Sequence, residues 1–199
     1  RFNWQTPILL SSHNQDILYM GSNFLHRSMN QGQTWTAISP DLTQGVKEGN
    51  VAFGTIAAIS ESTLQFGLLY TGSDDGLIHV SKDGGATWNK ISGNLPQNRW
   101  VSRVVASAHK KERVYATLNG YRNDDFTSYV FMSDDFGQTW KNIATNLPSS
   151  PVNVIVEDNV NENVLYLGTD NGLYVSLNKG TSWDDFSNGI PNVAVHDLV

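Results

Sequence analysis

A chain of 199 residues is long enough for one ordinary domain, and 39% hydrophobic with 16% charged residues is a globular rather than a disordered composition. No apolar run approaches the roughly 18 residues that a bilayer helix needs, and the absence of cysteine excludes a disulfide framework, a thiol nucleophile and a thiolate metal site. Thirteen basic against nineteen acidic side chains, a net charge of −6, argue against a nucleic-acid backbone as partner.

In chain order, residues 4–40 form a first unit with a strand tyrosine at Tyr19 and the octapeptide Ser28-Met-Asn-Gln-Gly-Gln-Thr-Trp35. Residues 50–96 repeat the pattern with Tyr70, Ser81-Lys-Asp-Gly-Gly-Ala-Thr-Trp88 and a closing Asn94-Leu95-Pro96. Residues 100–148 hold the strand-like runs Val101–Ala108, Arg113–Leu118 and Tyr129–Met132, then Ser133-Asp-Asp-Phe-Gly-Gln-Thr-Trp140, a fourth run Trp140–Ala144 and Asn146-Leu147-Pro148. Residues 151–191 carry Val152-Asn-Val-Ile-Val156, Val164-Leu-Tyr-Leu167, Ser176-Leu-Asn-Lys-Gly-Thr-Ser-Trp183 and Gly189-Ile190-Pro191. The remaining residues, 192–199, read as the first strand of a further blade. Four of the six tryptophans end an octapeptide, at spacings of 53, 52 and 43 residues. That is the period of a four-stranded propeller blade. Many runs are apolar on both faces, as suits a sheet packed between two others, and no stretch has a capped 3.6-residue period. The expected fold is all-β: a β-propeller of four-stranded antiparallel blades, about four present, forming an open part of a larger ring of six to ten.

The octapeptide explains itself as a turn. Asp or Asn at its third place (Asn30, Asp83, Asp135, Asn178) accepts hydrogen bonds from backbone N–H groups about two residues on. Glycine at the fifth (Gly32, Gly85, Gly137, Gly180) supplies a positive φ that a Cβ resists. Hydroxyls at the first place (Ser28, Ser81, Ser133, Ser176) bridge the loop, and the indoles of Trp35, Trp88, Trp140 and Trp183 enter the space between neighbouring sheets. These sixteen residues are therefore read as structural. Their acidic spacing lacks the ligand density of an EF-type loop, so no metal is assigned to them.

The octapeptides resemble Asp-boxes, also called bacterial neuraminidase repeats, and the chain from Trp4 to Leu198 resembles the sortilin-like propellers of secreted bacterial proteins labelled glycosyl hydrolases. Thr71-Gly-Ser-Asp-Asp-Gly76, Gly168-Thr-Asp-Asn-Gly172 and Gly120-Tyr-Arg-Asn-Asp-Asp-Phe126 carry that likeness most specifically. The resemblance implies a secreted, periplasmic or outer-surface bacterial protein, a fit with twenty asparagines and no Asn-x-Ser/Thr acceptor. The N-terminus, with neither an initiator Met nor a signal-like apolar core, reads as that of an excised or processed piece. It also implies boxes remote from the ligand face.

Function then belongs to the opposite face, made by the loops between second and third strands and those joining blades. Counted from the strand tyrosine to the box, the gaps are 9, 11, 18 and 10 residues, so the third blade carries about seven extra. The extra segment, Asn119–Ser128, offers Tyr121, Arg122, Asp124, Asp125 and Phe126. Arg99, Trp100 and Asp170 join them as ligand-binding candidates for a glycan or a peptide; an alternative is a solvated loop in which Arg122 and Asp124 satisfy each other. The connection Ser39–Gly54 is either a flap beside the site or an ordinary crossing.

A glycosidase needs two carboxyl groups roughly 5 to 10 Å apart, one with a raised pKa. Asp74 or Asp75 with Asp124 or Asp125 is the best available pair. The Phe-Arg-Ile-Pro-like segment of sialidases is absent, and His13, His26, His79, His109 and His196 show no metal-ligand spacing. The reading is a non-catalytic scaffold module binding peptide, protein or glycan through its loop face, without a cofactor, and partnered by the remaining blades of a parent protein or by self-association. Its alternative is a fragment of a glycoside hydrolase acting on a polysaccharide by a paired-carboxylate mechanism.

Overall fold

The structure is a computed structural model that describes residues 1–46, 48 and 53–198. Sixteen strands form four antiparallel sheets of four, each taken in sequence order, so every sheet is a meander. Blade 1 is β1 (Ile8–Leu10), β2 (Leu18–Gly21), β3 (Leu25–Ser28) and β4 (Thr36–Ala37); blade 2 is β5 (Ile56–Glu61), β6 (Leu69–Ser73), β7 (Ile78–Ser81) and β8 (Asn89–Lys90). Blade 3 is β9 (Trp100–Ala106), β10 (Val114–Asn119), β11 (Tyr129–Ser133) and β12 (Lys141–Asn142), and blade 4 is β13 (Val152–Glu157), β14 (Leu165–Thr169), β15 (Gly172–Ser176) and β16 (Asp184–Asp185). One 3-10 turn, Tyr121–Asn123, is the only helical element among the described residues. The molecule is an open arc of four propeller blades, and no helix is long and apolar enough to cross a membrane.

The second strands of the two inner blades are the driest, because neighbouring blades cover them on both faces. Leu69–Ser73 is buried throughout and Val114–Leu118 is wholly enclosed. Close blade contact needs glycine where a first strand crosses a second. A Cβ on Gly21 would lie 2.9 Å from Ile56, and one on Gly72 would lie 2.3 Å from a Val101 methyl. After β16, residues 192–198, expected as the first strand of a further blade, form no strand, since no second strand follows to pair with them, but they return to blade 4. Val195 sits over Gly168 and its N–H donates to the Thr169 carbonyl (2.9 Å), as the Ile56 N–H donates to Ser22 (2.6 Å).

Two further expectations need adjustment. The fourth strands are only two residues long, Lys141–Asn142 against the expected Trp140–Ala144. An outer strand has a partner on one side alone, and the Trp140 side chain is committed to the Ile91 carbonyl of the preceding blade. In the octapeptides, the near N–H groups are taken by serine. Ser133 Oγ accepts from the Asp135 and Gly137 N–H groups and donates to Asp135 Oδ1. The Asp135 carboxylate accepts instead from the N–H and hydroxyl of Thr139, four residues on. Fourth and fifth places both have positive φ, for example 63° at Phe136 and 85° at Gly137. The indole N–H groups of Trp88, Trp140 and Trp183 donate to Ile38, Ile91 and Ile143 carbonyls of the preceding blade, whereas Trp35 donates to its own Gly32.

Candidate functional site

The extended loop of blade 3 leaves β10 at Asn119, makes the 3-10 turn, and reaches β11 at Tyr129. Gly120 lets it fold tightly, since a Cβ there would meet the Asp125 backbone oxygen at 2.6 Å. Asp124 ends the turn in the left-handed region (φ 54°) with its side chain exposed. Asp125 is its anchor: one carboxylate oxygen accepts from Arg99 Nε (2.8 Å) and the Tyr129 hydroxyl (2.9 Å), the other from the Thr127 N–H. Partial desolvation raises the Asp125 pKa, but those hydrogen bonds outweigh it and hold the carboxyl well below the usual range.

With the loop fixed, its remaining side chains are displayed. The guanidinium of Arg122 lies over the Trp100 ring, 4.1 Å from the centroid, and not against Asp124. Tyr121 and Phe126 stand edge to face with centroids 6.1 Å apart, 59% and 49% exposed. Trp100 opens β9 and pairs with Asn119 of β10. From there a row of amides runs into blade 4: Asn119 Nδ2 donates to Asn153 (2.9 Å), and Asn153 Nδ2 donates to Asp170 (2.8 Å). Trp100, Tyr121, Arg122 and Asp170 thus belong to one continuous surface, with Arg99 as its brace. Asn119 and Asn153 were not among the expected site residues. The signal for Asn153 was visible as the polar break in an otherwise apolar strand.

Asp74 and Asp75 are placed elsewhere. Both are buried. Asp74 accepts from the N–H groups of Gly54 and Thr55, the Thr55 hydroxyl and Asn3, and so pins the crossing from blade 1 to blade 2. Asp75 accepts from Ser73 Oγ (2.5 Å) and the Gln44 N–H (2.7 Å). Every carboxylate oxygen of this pair already has a protein donor. The donors to Asp74 come from the crossing into blade 2 and from Asn3, and those to Asp125 from Arg99, Thr127 and Tyr129. In the Ser39–Gly54 connection the Arg1 guanidinium meets Asp41 and the Leu42 N–H donates to the Asn23 carbonyl; Lys47, Gly49, Asn50, Val51 and Ala52 lie outside the described residues. A cleft of about 810 Å³ is lined by Pro148, Asn171, Tyr174, Asp185 and Ile190. Among the described residues no three His, Asp or Glu side chains gather as metal ligands.

Comparison with known proteins bears first on the fold. An ancestral GH74 enzyme superposes with a TM-score of 0.68 at 21% identity, over 93% of this chain and 24% of that one. The GH74 xyloglucanase from Xanthomonas campestris gives 0.69 at 17% identity, over 92% and 30%. YCF48 from Cyanidioschyzon merolae gives 0.55 at 14%, over 89% and 54%. The chain therefore spans about a quarter to a third of the GH74 chains it matches. A search of the curated proteins returned no match. Residues 8–193 match a family described as the DUF6242 beta propeller domain.

Proposed function

The chain belongs to the DUF6242 β-propeller domain family, and from that premise we propose that it is a non-catalytic binding module whose loop face at blade 3 holds a glycan. The observation that carries this is the pair of exposed rings, Tyr121 and Phe126, displayed beside the Arg122–Trp100 stack on the longest of the loops between second and third strands. Exposed aromatic surface held by a rigid frame gives sugar rings a stacking platform, and the amides of Asn119 and Asn153 offer hydrogen bonds to hydroxyls.

The GH74 likeness keeps hydrolysis as the second reading, in line with the alternative of a polysaccharide-cleaving fragment. The carboxylates supply little support for it. A general acid needs a raised pKa, whereas on this face Asp125 is held down, and so is Asp41, where desolvation is outweighed by Thr43, Asn23 and Arg1. Screening on glycan and peptide arrays is the test. We expect glycan binding without turnover, lost in Tyr121→Ala/Phe126→Ala, whose exposed side chains leave the fold intact. Hydrolysis of a bound glycan, or binding untouched by that double substitution, contradicts the reading.

A further inference from the structure

The ligand's charge can be read from what the loop leaves unpaired. Acidic residues outnumber basic ones by nineteen to thirteen, and Arg1, Arg99, Arg103 and Arg113 each meet a carboxylate. Arg122 does not. Among the described residues no carboxylate lies within ion-pair distance of it, although Asp124 is two positions away in sequence and Asp125 three. Asp125 is engaged by Arg99 and Tyr129, Asp170 accepts from Asn153, and Asp124 stands exposed without an ion pair to Arg122. The Arg122 guanidinium carbon lies 4.1 Å from the Trp100 ring centroid, the residue is exposed, and none of its guanidinium N–H groups donates to a protein acceptor among the described residues.

We propose that this surface takes an acidic sugar, a uronic acid unit within a polysaccharide, with the ring on the Tyr121–Phe126 platform and the carboxylate on the Arg122 fork. The inference rests on the glycan-binding reading above. A planar fork matches a carboxylate bidentately, which a neutral sugar cannot offer. The amide row from Asn119 to Asn153 lies on the blade 4 side of Trp100, where the neighbouring sugar hydroxyls fall if the chain runs across the blade seam.

The test is calorimetric titration with galacturonic acid oligomers, neutral galactose oligomers of the same length, and an Asp/Glu-rich peptide, each at low and high salt. The uronate oligomers should bind most tightly and lose affinity with salt. Arg122→Gln should weaken them roughly tenfold or more, the size of one charged hydrogen-bonded pair, and remove most of the salt dependence. Arg122→Lys should keep the salt dependence while losing part of the affinity. Unchanged thermal unfolding of both variants excludes a folding defect. Equal binding of the neutral oligomers, or uronate binding indifferent to Arg122→Gln, overturns the acidic-sugar inference and leaves the glycan reading standing. Binding of the peptide alone, or of none of the three, overturns both.

Discussion

At the scale of single residues, the four octapeptide turns are built alike but differ in one chemical respect. Asp83 and Asp135 carry a carboxylate where blades 1 and 4 have Asn30 and Asn178. Hydrogen bonds from the Thr87 hydroxyl and N–H bring Asp83 down to about 2. For Asp135 desolvation is the largest single effect and opposes the shift, but the hydrogen bonds from the Thr139 hydroxyl and N–H, Ser133 and the Gln138 N–H together prevail and the value is again about 2. An unfolded aspartate titrates near 3.9. A folded pKa below the unfolded one stabilises the turn above about pH 4, and that contribution is lost as pH falls through about 2. The amides of Thr87 and Thr139 should therefore shift with midpoints near pH 2 in an NMR titration, while those of Thr34 and Ser182 stay still. Midpoints near 4, or equal shifts at all four amides, would show that the carboxylates do not close these turns. The residue types of the turn were legible from sequence. The division of labour within it was not, because only coordinates show that serine takes the near N–H groups and aspartate the far one.

At the scale of the blade, the seams are not equivalent. Glu61 and Glu157 end their first strands opposite Leu69 and Leu165, and each accepts from the tyrosine of the preceding blade: Tyr19 to Glu61 at 3.0 Å, Tyr115 to Glu157 at 2.8 Å. The corresponding place in blade 3, opposite Val114, is Ala106. Tyr70, which would reach it, keeps a buried hydroxyl without a hydrogen-bond partner. A buried polar group left unpaired costs free energy. Tyr115→Phe and Tyr19→Phe should thus lower stability by about 1–3 kcal/mol, since each removes a bond to a buried carboxylate. Tyr70→Phe should be neutral or stabilising, within about 0.5 kcal/mol of wild type. Urea midpoints measure all three, and an equal loss in Tyr70→Phe would contradict this account of the seams. The strand tyrosines could be picked out in the sequence, as Leu-Tyr or Val-Tyr at the head of each second strand. Their partners lay 42 residues away across a crossing of variable length, so the alternation of paired and unpaired seams appears only once the register is known.

At the scale of the molecule, the turns with their tryptophans stand at one end of the strands and the aromatic loop at the other. One set fixes neighbouring blades through indole bonds to backbone carbonyls; the other displays side chains that the fold leaves free. The repeat made the first set legible, and loop length pointed to the second. What counting residues did not show was that Arg122 lies on Trp100, a contact made by the pairing of Trp100 with Asn119 across β9 and β10. The same six tryptophans give the most direct test of the whole account. Their indole N–H resonances can be followed while the protein is titrated with a mixture of neutral and uronic oligosaccharides. The account predicts that the Trp100 signal moves and that those of Trp88, Trp140 and Trp183 stay in place. A titration in which the seam tryptophans move while Trp100 remains still, or in which none of the six responds, would contradict it.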